Sequence, residues 1–442
     1  MRKLEFRAFI CLFAAAVLFL GLLVFIWQFV SHGSDWATFY ANKHIYSDGK
    51  LAVGNIYDVN GNVLEKNENG KITFNDDYWV RRGTVHAVGD RRGNIGTSAE
   101  QAFQSDIVGY NLLTGTYSMT GNGRDIKLTI DAEVSKVAAQ ALGDRSGLVG
   151  VYNYETGDIV CMVSGPNFDP ADPPEFDPDD SSGMYLNKIL SGRLIPGSIF
   201  KVVTSAAAIE NLENLDSFSY YCGGSTIVAG EVLRDFAPHG QVDFHGALTH
   251  SCNGAFGKLA REIGPGKMKE YVDKLGLTKS YDIDGIRSVP GSFEFPENSE
   301  FNLSWAGIGQ YNDQVNPLSM LVYMGAIAGG GQAAMPRLLY SPLRTPKMTD
   351  QMIRPETATE LTEMMKETVT QSYGEDKFPG LDLYGKTGTA EITGHGNNGW
   401  FTGFIKDPGK PYAFIVCIEN GGLGITDAVP IANTVMQAVV SR

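Results

Sequence analysis

The feature that most constrains the fold is an apolar run near the amino terminus. From Ala8 to Val30 only Gln28 is strongly polar. A helix of these 23 residues rises about 1.5 Å per residue, which is enough to cross a bilayer core of about 30 Å. The run therefore predicts a transmembrane helix at residues 8–30, behind a short segment at 1–7.

The charges that flank this run predict its orientation. Arg2, Lys3 and Arg7 precede it, and basic residues favour the cytoplasmic side of a membrane. We therefore expect residues 1–7 in the cytoplasm and the body of the chain outside. The alternative is a cleaved signal peptide, which has a shorter apolar region and an Ala-x-Ala-like site after it. Residues 31–34 lack that pattern, so we favour an uncleaved anchor.

Composition narrows the classes of protein to which this chain can belong. The net charge of −14 argues against nucleic acid as a partner, because proteins that bind it need a basic surface. A hydrophobic content of 43% in 442 residues allows a large core and two or three domains. Five cysteines are too few for a disulfide scaffold. Cys222 and Cys252 could form one disulfide, or they could be free, partly buried thiols.

The first part of the extracytoplasmic chain, residues 31–145, predicts a small β-rich module. A short helix is expected at 35–46, where the chain leaves the membrane. The stretch at 47–125 is rich in Gly, Asn and Asp, with short β-like runs at 54–57 and 71–74 and few helical periods. Alternation predicts a strand at 125–131, and a helix then follows to Leu142.

Residues 146–442 predict a second, larger domain. Its early and late strands, with a helical middle and a closing helix, indicate one sheet that takes strands from both ends of the segment, with helices packed on it. The expected strands are 148–154, 158–163, 381–384, 400–405 and 412–419, and the expected helices are 199–210, 361–369 and 429–440.

A short motif lies at the start of one of these helices. Ser198 and Lys201 are three residues apart, so a helix places hydroxyl and amine on one face. An amine in that position can take the proton of a weak nucleophile. The spacing alone is common and carries little information.

A second motif has two possible interpretations. Residues 380–387 match the phosphate-binding pattern G-x-x-x-x-G-K-[ST], which requires a flexible loop before a helix. The interior of this segment alternates like a strand, and Gly388, Thr389 and Ala390 follow instead of a helix. We therefore expect no nucleotide. On a strand, Lys386 with Thr387 and Thr389 can bind a carboxylate, and Gly388 lets a ligand approach the backbone.

A third pair completes an ordered set. Ser251 and Asn253 follow a predicted loop and can point into one cleft. Ser251 lies 53 residues after Ser198, and Lys386 lies 135 residues after Ser251. The order Ser-x-x-Lys, Ser-x-Asn, Lys-Thr-Gly is typical of penicillin-binding proteins and class A β-lactamases, where Asp is usual at the middle position that Cys252 occupies here.

With these motifs the chain resembles a class B, monofunctional penicillin-binding protein, a peptidoglycan D,D-transpeptidase. Residues 194–201, 386–390 and 400–403 follow the family's pattern, and residues 54–64 resemble the signature of its pedestal domain. Val53 and Val59 stand there in place of arginines that are usual in the family.

The resemblance implies an α/β fold. It is a penicillin-binding transpeptidase or serine β-lactamase-like domain, with an antiparallel sheet between helices, at 146–442. A small β-rich, dimerisation-like pedestal domain at 31–145 and one transmembrane helix at 8–30 precede it. The chain would be a single-pass protein of the bacterial cell membrane with an extracytoplasmic catalytic domain.

The resemblance also implies roles for individual residues. Ser198 would be the nucleophile, Lys201 its base, Ser251 a proton relay and Asn253 a positioning group. Lys386 would bind the terminal carboxylate of the substrate and would also lower the pKa of Lys201.

Further binding groups follow from the same resemblance. Thr387, Gly388 and Thr389 would complete the carboxylate site, and the backbone amides of Ser198 and Thr389 would form the oxyanion hole. No cofactor and no metal are expected. The histidines at 239, 245 and 250 lack metal-ligand spacing and are interpreted as structural.

The expected ligands and partners are peptidoglycan stem peptides, β-lactam antibiotics and a polytopic membrane glycosyltransferase of the SEDS type, with no nucleic acid. Three alternatives stay open. One is a membrane-anchored D,D-carboxypeptidase with water as acceptor. Another is a β-lactamase or penicillin sensor. The last is a scaffold that mainly activates the glycosyltransferase.

Overall fold

A computed structural model describes residues 2–38, 46–47, 50–111, 116–117, 123–392, 394 and 396–442. Its helices are α1 Arg2–Ala37, α2 Tyr78–Val88, α3 Ala99–Ala102, α4 Gln104–Val108, α5 Ala132–Leu142, α6 Lys188–Ser191, α7 Lys201–Asn211, α8 Phe244–Thr249, α9 Asn253–Ile263, α10 Pro265–Lys274, α11 Glu300–Ala306, α12 Pro317–Ala328, α13 Pro355–Thr368 and α14 Val429–Val440.

The strands of the first half are β1 Tyr46–Ser47, β2 Lys50–Leu51, β3 Ile56–Tyr57, β4 Val63–Glu68, β5 Lys71–Phe74, β6 Tyr110–Asn111, β7 Thr116–Tyr117, β8 Ile126–Lys127, β9 Gly147–Asn153 and β10 Ile159–Gly165. Those of the second half are β11 Tyr220–Cys222, β12 Ser225–Val228, β13 Glu231–Arg234, β14 Gly240–Val242, β15 Asp282–Ile283, β16 Ile286–Arg287, β17 Leu383–Ala390, β18 Asn398–Ile405 and β19 Tyr412–Ile418.

Helix α1 contains the apolar run. The stretch Leu4–Gly33 is long and apolar enough to cross a membrane, and its side chains project away from the rest of the protein. A helix with this composition is stable in lipid because all its interior backbone groups are paired within it. The separate helix expected at 35–46 falls mostly outside the described residues. Its first residues belong to the end of α1, and Tyr46 lies in β1.

The module after the anchor is built on a four-stranded sheet in the order β5-β4-β3-β8, in which β3 and β8 are parallel. The β-like runs at 54–57 and 71–74 overlap β3 and β5, as expected. The module is more helical than expected, because α2, α3 and α4 pack beside this sheet. Asp77 begins α2 by accepting hydrogen bonds from the amides of Trp79 and Val80, a capping signal that the Gly- and Asn-rich surroundings obscured.

A buried carboxylate joins this module to the next helix. Asp58 is fully buried, and its Oδ1 accepts from the backbone amides of Asn60 at 2.9 Å and Asn62 at 2.7 Å. Its Oδ2 accepts from the amide of Ala132, the first residue of α5, at 3.1 Å. The turn with the pedestal signature is thus bonded to the start of α5, with Val59 in place of the family's arginine.

The central sheet of the second half has the order β10-β9-β19-β18-β17, and all its neighbours are antiparallel. It takes two strands from the start of the segment and three from its end, as expected. Strand β17 is longer than the strand predicted at 381–384, because it pairs with β18 over eight residues. The segment that matches a phosphate-binding pattern is therefore mostly an extended strand.

Each face of this sheet is covered by helices. Successive side chains of a strand point to opposite faces, so a strand that is apolar throughout has to be covered on both sides. Val149 and Val151 of β9 face α5 and α14, whereas Leu148 and Tyr152 face the helical subdomain that contains α7 and α12. Every residue of α12 is buried, which agrees with its apolar character on all sides.

Helix α5 lies between the two modules. It runs from Ala132 to Leu142, with Asp131 as the N-cap and Gly143 at the end, as predicted. It packs against α2 on one side and against β10 and α14 on the other. The boundary at 145/146 stays a prediction, and α5, which precedes it, contacts both parts.

The cysteines are unlinked. Cys11 is exposed on α1, and Cys161, Cys222, Cys252 and Cys417 are buried free thiols. Of the two possibilities left open for Cys222 and Cys252, the structure has the free thiols.

Candidate active site

The predicted nucleophile and base are in contact. Ser198 lies in a 3-10 turn, Gly197–Phe200, that leads directly into α7, and Lys201 is the first residue of that helix. Lys201 Nζ lies 3.0 Å from Ser198 Oγ. Ser198 is half-buried, whereas the lysine is fully buried. This pair is therefore placed for proton transfer between hydroxyl and amine.

The Ser251–Asn253 pair also contacts Lys201; Ser251 follows α8, and Asn253 is the first residue of α9. Ser251 has a left-handed backbone, with φ of 55°, which turns both its carbonyl and its hydroxyl toward the amine. Lys201 Nζ lies 2.6 Å from Ser251 O, 3.0 Å from Ser251 Oγ and 2.7 Å from Asn253 Oδ1. Asn253 Nδ2 donates to the carbonyl of Arg234 at 2.7 Å, which fixes the orientation of the amide.

Lys201 has more neighbours than an ammonium group has protons. Four oxygen atoms surround Nζ, whereas an ammonium donates three hydrogen bonds. A neutral amine also makes three such bonds: it can donate to the Ser251 carbonyl and to Asn253 Oδ1, and its lone pair can accept from a serine hydroxyl. The oxygen atoms around Nζ therefore accommodate both protonation states of Lys201.

Lys386 approaches from the edge strand β17. Its Nζ lies 3.1 Å from Ser251 Oγ and donates to its neighbour's carbonyl, Thr387 O, at 2.8 Å. The Ser251 hydroxyl therefore lies between two amines, those of Lys201 and Lys386. A proton can pass along this short chain of hydrogen-bonding atoms.

Burial lowers the pKa of both lysines. It lowers the pKa of Lys201 to about 8, because removal from water penalises the charged amine. It also lowers the pKa of Lys386 well below its usual value, and the charge of Lys201 adds to that effect. Repulsion between two amines acts on both of them, so the expectation that Lys386 lowers the pKa of Lys201 stays a prediction. Asp235 opposes the effect of burial on Lys201, because a nearby carboxylate favours the charged amine.

The predicted binding residues of β17 point in two directions. Lys386 and Gly388 face the turn that bears Ser198, and a Cβ at Gly388 would lie 3.0 Å from Ile199 Cγ2 and 3.1 Å from Ile199 N. Thr387 instead bonds to Tyr373, whose hydroxyl lies 2.9 Å from Thr387 Oγ1 and 2.8 Å from its amide nitrogen. Thr389 is half-buried. Carboxylate binding by these residues stays a prediction.

Two supporting residues had no sequence signal. Tyr373 holds β17 through Thr387, and Asp235 Oδ1 accepts from the amide of Asn253 at 2.5 Å. Neither pair follows a recognisable spacing, so only the folded chain reveals them. Trp400 belongs to the family-like run at 400–403, and its Nε1 donates to Ile195 O at 3.0 Å, which connects β18 to the segment before Ser198.

One group in the described part of the chain could hold a metal ion. Cys222, Asp235, His239 and Cys252 place their ligand atoms within 4.8 Å of one another. No metal was expected from the sequence, in which the histidines at 239, 245 and 250 lack metal-ligand spacing. The group lies next to Asn253, whose amide donates to Asp235.

Known proteins with similar sequences include several penicillin-binding proteins. The chain is 28% identical over 353 residues to stage V sporulation protein D of Bacillus subtilis. The aligned region covers 73% of this chain and 54% of that protein. It is 29% identical over 340 residues to peptidoglycan D,D-transpeptidase PbpA of Mycolicibacterium smegmatis, with 68% of each chain covered. The chain thus spans about half the length of the sporulation protein.

Solved structures share the fold. Penicillin-binding protein A from M. tuberculosis, as a ceftriaxone acyl-enzyme, superposes with a TM-score of 0.75 at 21% identity, over 88% of this chain and 98% of that one. The D,D-transpeptidase domain of a peptidoglycan glycosyltransferase from Eggerthella lenta gives a TM-score of 0.73 at 23% identity, over the same shares. The predicted fold class is confirmed.

Residues 147–437 match the family described as the penicillin binding protein transpeptidase domain. This match covers well over half of the chain, and it agrees with the resemblance found from the three motifs. The chain belongs to the penicillin-binding protein transpeptidase family, as a class B member.

Proposed function

We propose that this chain is a peptidoglycan D,D-transpeptidase that acts through an acyl-enzyme on Ser198. The observation that carries the proposal is the contact of Lys201 with both serines, 3.0 Å from each hydroxyl, while Lys386 shares the second. The names of the relatives support the same reaction. The roles of the individual residues below are part of the proposal.

In the first step Ser198 Oγ attacks the carbonyl carbon between the two terminal D-alanines of a stem peptide. Its proton moves to the neutral amine of Lys201 as the C–O bond forms. The amides of Ser198 and Thr389 stabilise the oxyanion, and the amino-terminal end of α7 adds a favourable field. The C–N bond then breaks, and Ser251 relays a proton to the departing amine of D-alanine.

In the second step an amine of a neighbouring stem peptide attacks the ester carbon. The new amide bond forms the cross-link, the ester C–O bond breaks, and Ser198 recovers its proton through Lys201. Asn253 holds Lys201 in place during both steps. No cofactor is needed, because neither step changes an oxidation state.

We assign one proton to the two lysines in the reactive complex. The terminal carboxylate of the substrate lies beside Lys386, and an opposite charge raises the pKa of an amine. A proton that Lys201 holds in the empty site can then pass through the Ser251 hydroxyl to Lys386. This transfer leaves Lys386 charged for binding and Lys201 neutral as the base.

The proposal is tested with the full-length protein in detergent and a penicillin. Intact-protein mass spectrometry should show a stable adduct on Ser198, which the Ser198→Ala variant lacks while its thermal unfolding midpoint is unchanged. With lipid-linked peptidoglycan strands, the protein should release D-alanine and form cross-linked dimers. Rapid turnover of the drug would identify a β-lactamase instead, and D-alanine release without dimers would identify a carboxypeptidase.

We further propose that residues 1–7 are cytoplasmic and that the catalytic domain lies outside the membrane. Basic residues before the apolar run support this orientation. Protease added to intact spheroplasts should digest the catalytic domain and leave a tag at the amino terminus intact. Digestion of that tag with the catalytic domain protected would reverse the orientation.

The same apolar helix supports a partner within the bilayer. Its side chains are exposed along the whole membrane segment, so they can pack against another membrane protein. We propose a polytopic glycosyltransferase of the SEDS type, which would supply the glycan strands that this enzyme cross-links.

A further inference from the structure

Four potential metal ligands from separate parts of the chain meet beside the Ser251–Asn253 turn. Cys222 ends β11, Asp235 follows β13, His239 precedes β14, and Cys252 lies just before α9. Their ligand atoms all lie within 4.8 Å of one another. Cys222 and Cys252 are 2% and 0% exposed, whereas Asp235 and His239 are half-buried, so the thiols form the inner side of the group.

The distances suit a tetrahedral ion. Asp235 Oδ2 lies 3.3 Å from Cys222 Sγ and 3.4 Å from Cys252 Sγ. Zinc binds sulfur, nitrogen and oxygen at about 2.0–2.3 Å, so neighbouring ligand atoms around it are about 3.3–3.8 Å apart. The carboxylate oxygen therefore already lies at nearly the separation from each sulfur atom that zinc requires.

His239 supplies an independent observation. Its Nδ1 atom is buried and has no hydrogen-bond partner among the described residues. Buried polar atoms in folded proteins are almost always paired, so an unpaired nitrogen on the imidazole that offers a ligand atom to this group points to a missing ligand. The ring also stacks on His250, with centroids 5.5 Å apart, which fixes its orientation.

The Asp235 carboxylate is oriented by hydrogen bonds from two backbone amides. The amide of Asn253 donates to Asp235 Oδ1 at 2.5 Å, and that of Gly254 donates to Oδ2 at 3.1 Å. Hydrogen bonds of this kind orient metal ligands in proteins. One lone pair of Oδ2 stays available on the side of the sulfur atoms.

We infer that Cys222, Asp235, His239 and Cys252 bind one zinc ion. Two thiolates and an imidazole form a soft donor set that selects zinc over magnesium or calcium. Four protein ligands leave no open position, which is the arrangement of a structural site rather than a catalytic one.

The site would act as a positioning device for the catalytic residues. Cys252 lies between Ser251 and Asn253, and Asp235 binds the amide of Asn253 directly. Asn253 in turn contacts Lys201 Nζ at 2.7 Å. A zinc ion bound here fixes the turn that determines the position of the base.

The binding test uses the full-length protein, purified under reducing conditions in detergent. Elemental analysis should find about one zinc per chain, and titration of the metal-free protein with Co²⁺ should produce thiolate-to-metal charge-transfer absorption. His239→Gln should weaken zinc binding by about 10- to 100-fold. His245→Gln is the matched control, because His245 lies between Glu360 and Glu367, and this variant should keep the metal.

Several results would overturn the binding site. These are wild-type protein without zinc and without a Co²⁺ absorption band, equal loss of zinc in both histidine variants, or a Cys222–Cys252 disulfide in the freshly isolated protein. None of these measurements depends on transpeptidase activity, so the proposed function and the zinc site can fail separately.

The positioning role has its own measurement. Removal of zinc by a chelator should slow acylation by a fluorescent penicillin by about tenfold or more, and added zinc should restore the rate. Unchanged acylation of the metal-free protein would overturn this role.

Discussion

At the scale of single residues, the site is organised around one hydroxyl shared by two buried amines. Ser251 Oγ lies 3.0 Å from Lys201 Nζ and 3.1 Å from Lys386 Nζ. Two ammonium groups that contact the same hydroxyl repel each other strongly in a buried site. We therefore expect the two lysines to titrate as a coupled pair that holds one proton near neutral pH.

This sharing predicts an unusual pH dependence. The second-order rate of acylation reports the free enzyme, whose competent form holds one proton on the pair. That proton is lost through a pKa of about 8, so the rate should be level below that pH and fall above it, by up to about tenfold per pH unit. Stopped-flow fluorescence with a labelled penicillin from about pH 6 to about pH 9.5 measures the profile.

A Lys386→Gln variant provides the contrast. It cannot hold the proton at the carboxylate site, so its much slower acylation needs only a neutral Lys201. Since the neutral fraction of Lys201 grows as pH rises through about 8, the rate of the variant should rise where that of the wild type falls. Rising profiles for both proteins would show that Lys201 alone governs the reaction.

The residues of the active site could be predicted from the sequence, because three motifs that are weak individually occur in a specific order. The structure brings Ser198, Lys201, Ser251, Asn253 and Lys386 into one cluster, as expected. The sequence could not show that both lysine pKa values are lowered, because that depends on the burial of each amine. Tyr373 was missed for a similar reason, since only the folded chain brings it to Thr387.

At the scale of elements, the site depends on a close approach between backbone segments. Gly309 has φ of +79°, and its carbonyl accepts from the amide of Gly197 at 2.8 Å. A Cβ at Gly309 would collide with the carbonyl oxygen of Gly197. This contact fixes the start of the turn that bears Ser198, so it couples a loop after α11 to the nucleophile.

A Gly309→Ala substitution should therefore destabilise the protein by about 2–4 kcal/mol and slow acylation by at least about tenfold, because the Ser198 turn must move. Gly330→Ala is the matched control. Gly330 also has positive φ, 75°, but nothing lies within 4 Å of its Cβ position, so the cost should be about 1 kcal/mol. Thermal unfolding and penicillin acylation measure both effects, and equal losses in the two variants would contradict this explanation.

Helices whose apolar pattern, start or end is visible in the local sequence were predicted well. Helix α14 spans Val429–Val440 as predicted, and α5 has both its cap and its terminal glycine in the sequence. Helix α2 was missed, because its buried face includes Arg82 and His86, which contact Asn167 and Met184 in the larger module. Such a helix is stabilised by tertiary contacts rather than by an apolar pattern.

At the scale of the whole molecule, segments that are far apart in sequence pair in the central sheet. Strands β9 and β10 come early and β17–β19 come late, yet they form one sheet. Arg442, the last residue, bonds to both carboxylate oxygens of Asp131, at 2.7 and 2.5 Å. The pattern of strands predicted this shared sheet, but the pairing order depends on packing across the whole domain.

The membrane helix gives a prediction at the same scale. Replacing residues 8–30 with an unrelated apolar helix of equal length should retain membrane attachment and penicillin acylation, because no catalytic group lies there. If the helix contacts the proposed glycosyltransferase, the replacement should abolish copurification of the two proteins and lower glycan polymerisation. The matched control is a helix in which only residues on one face are changed. Unchanged copurification in every variant would place the contact elsewhere.

The buried Asp58 carboxylate has a mechanical consequence. It accepts hydrogen bonds from the turn at 60–62 and from the first amide of α5 at once, and α5 packs against β10 of the central sheet. The position of this turn is therefore coupled to the central sheet through a single helix. We expect a load applied to the module after the anchor to reach the sheet along α5.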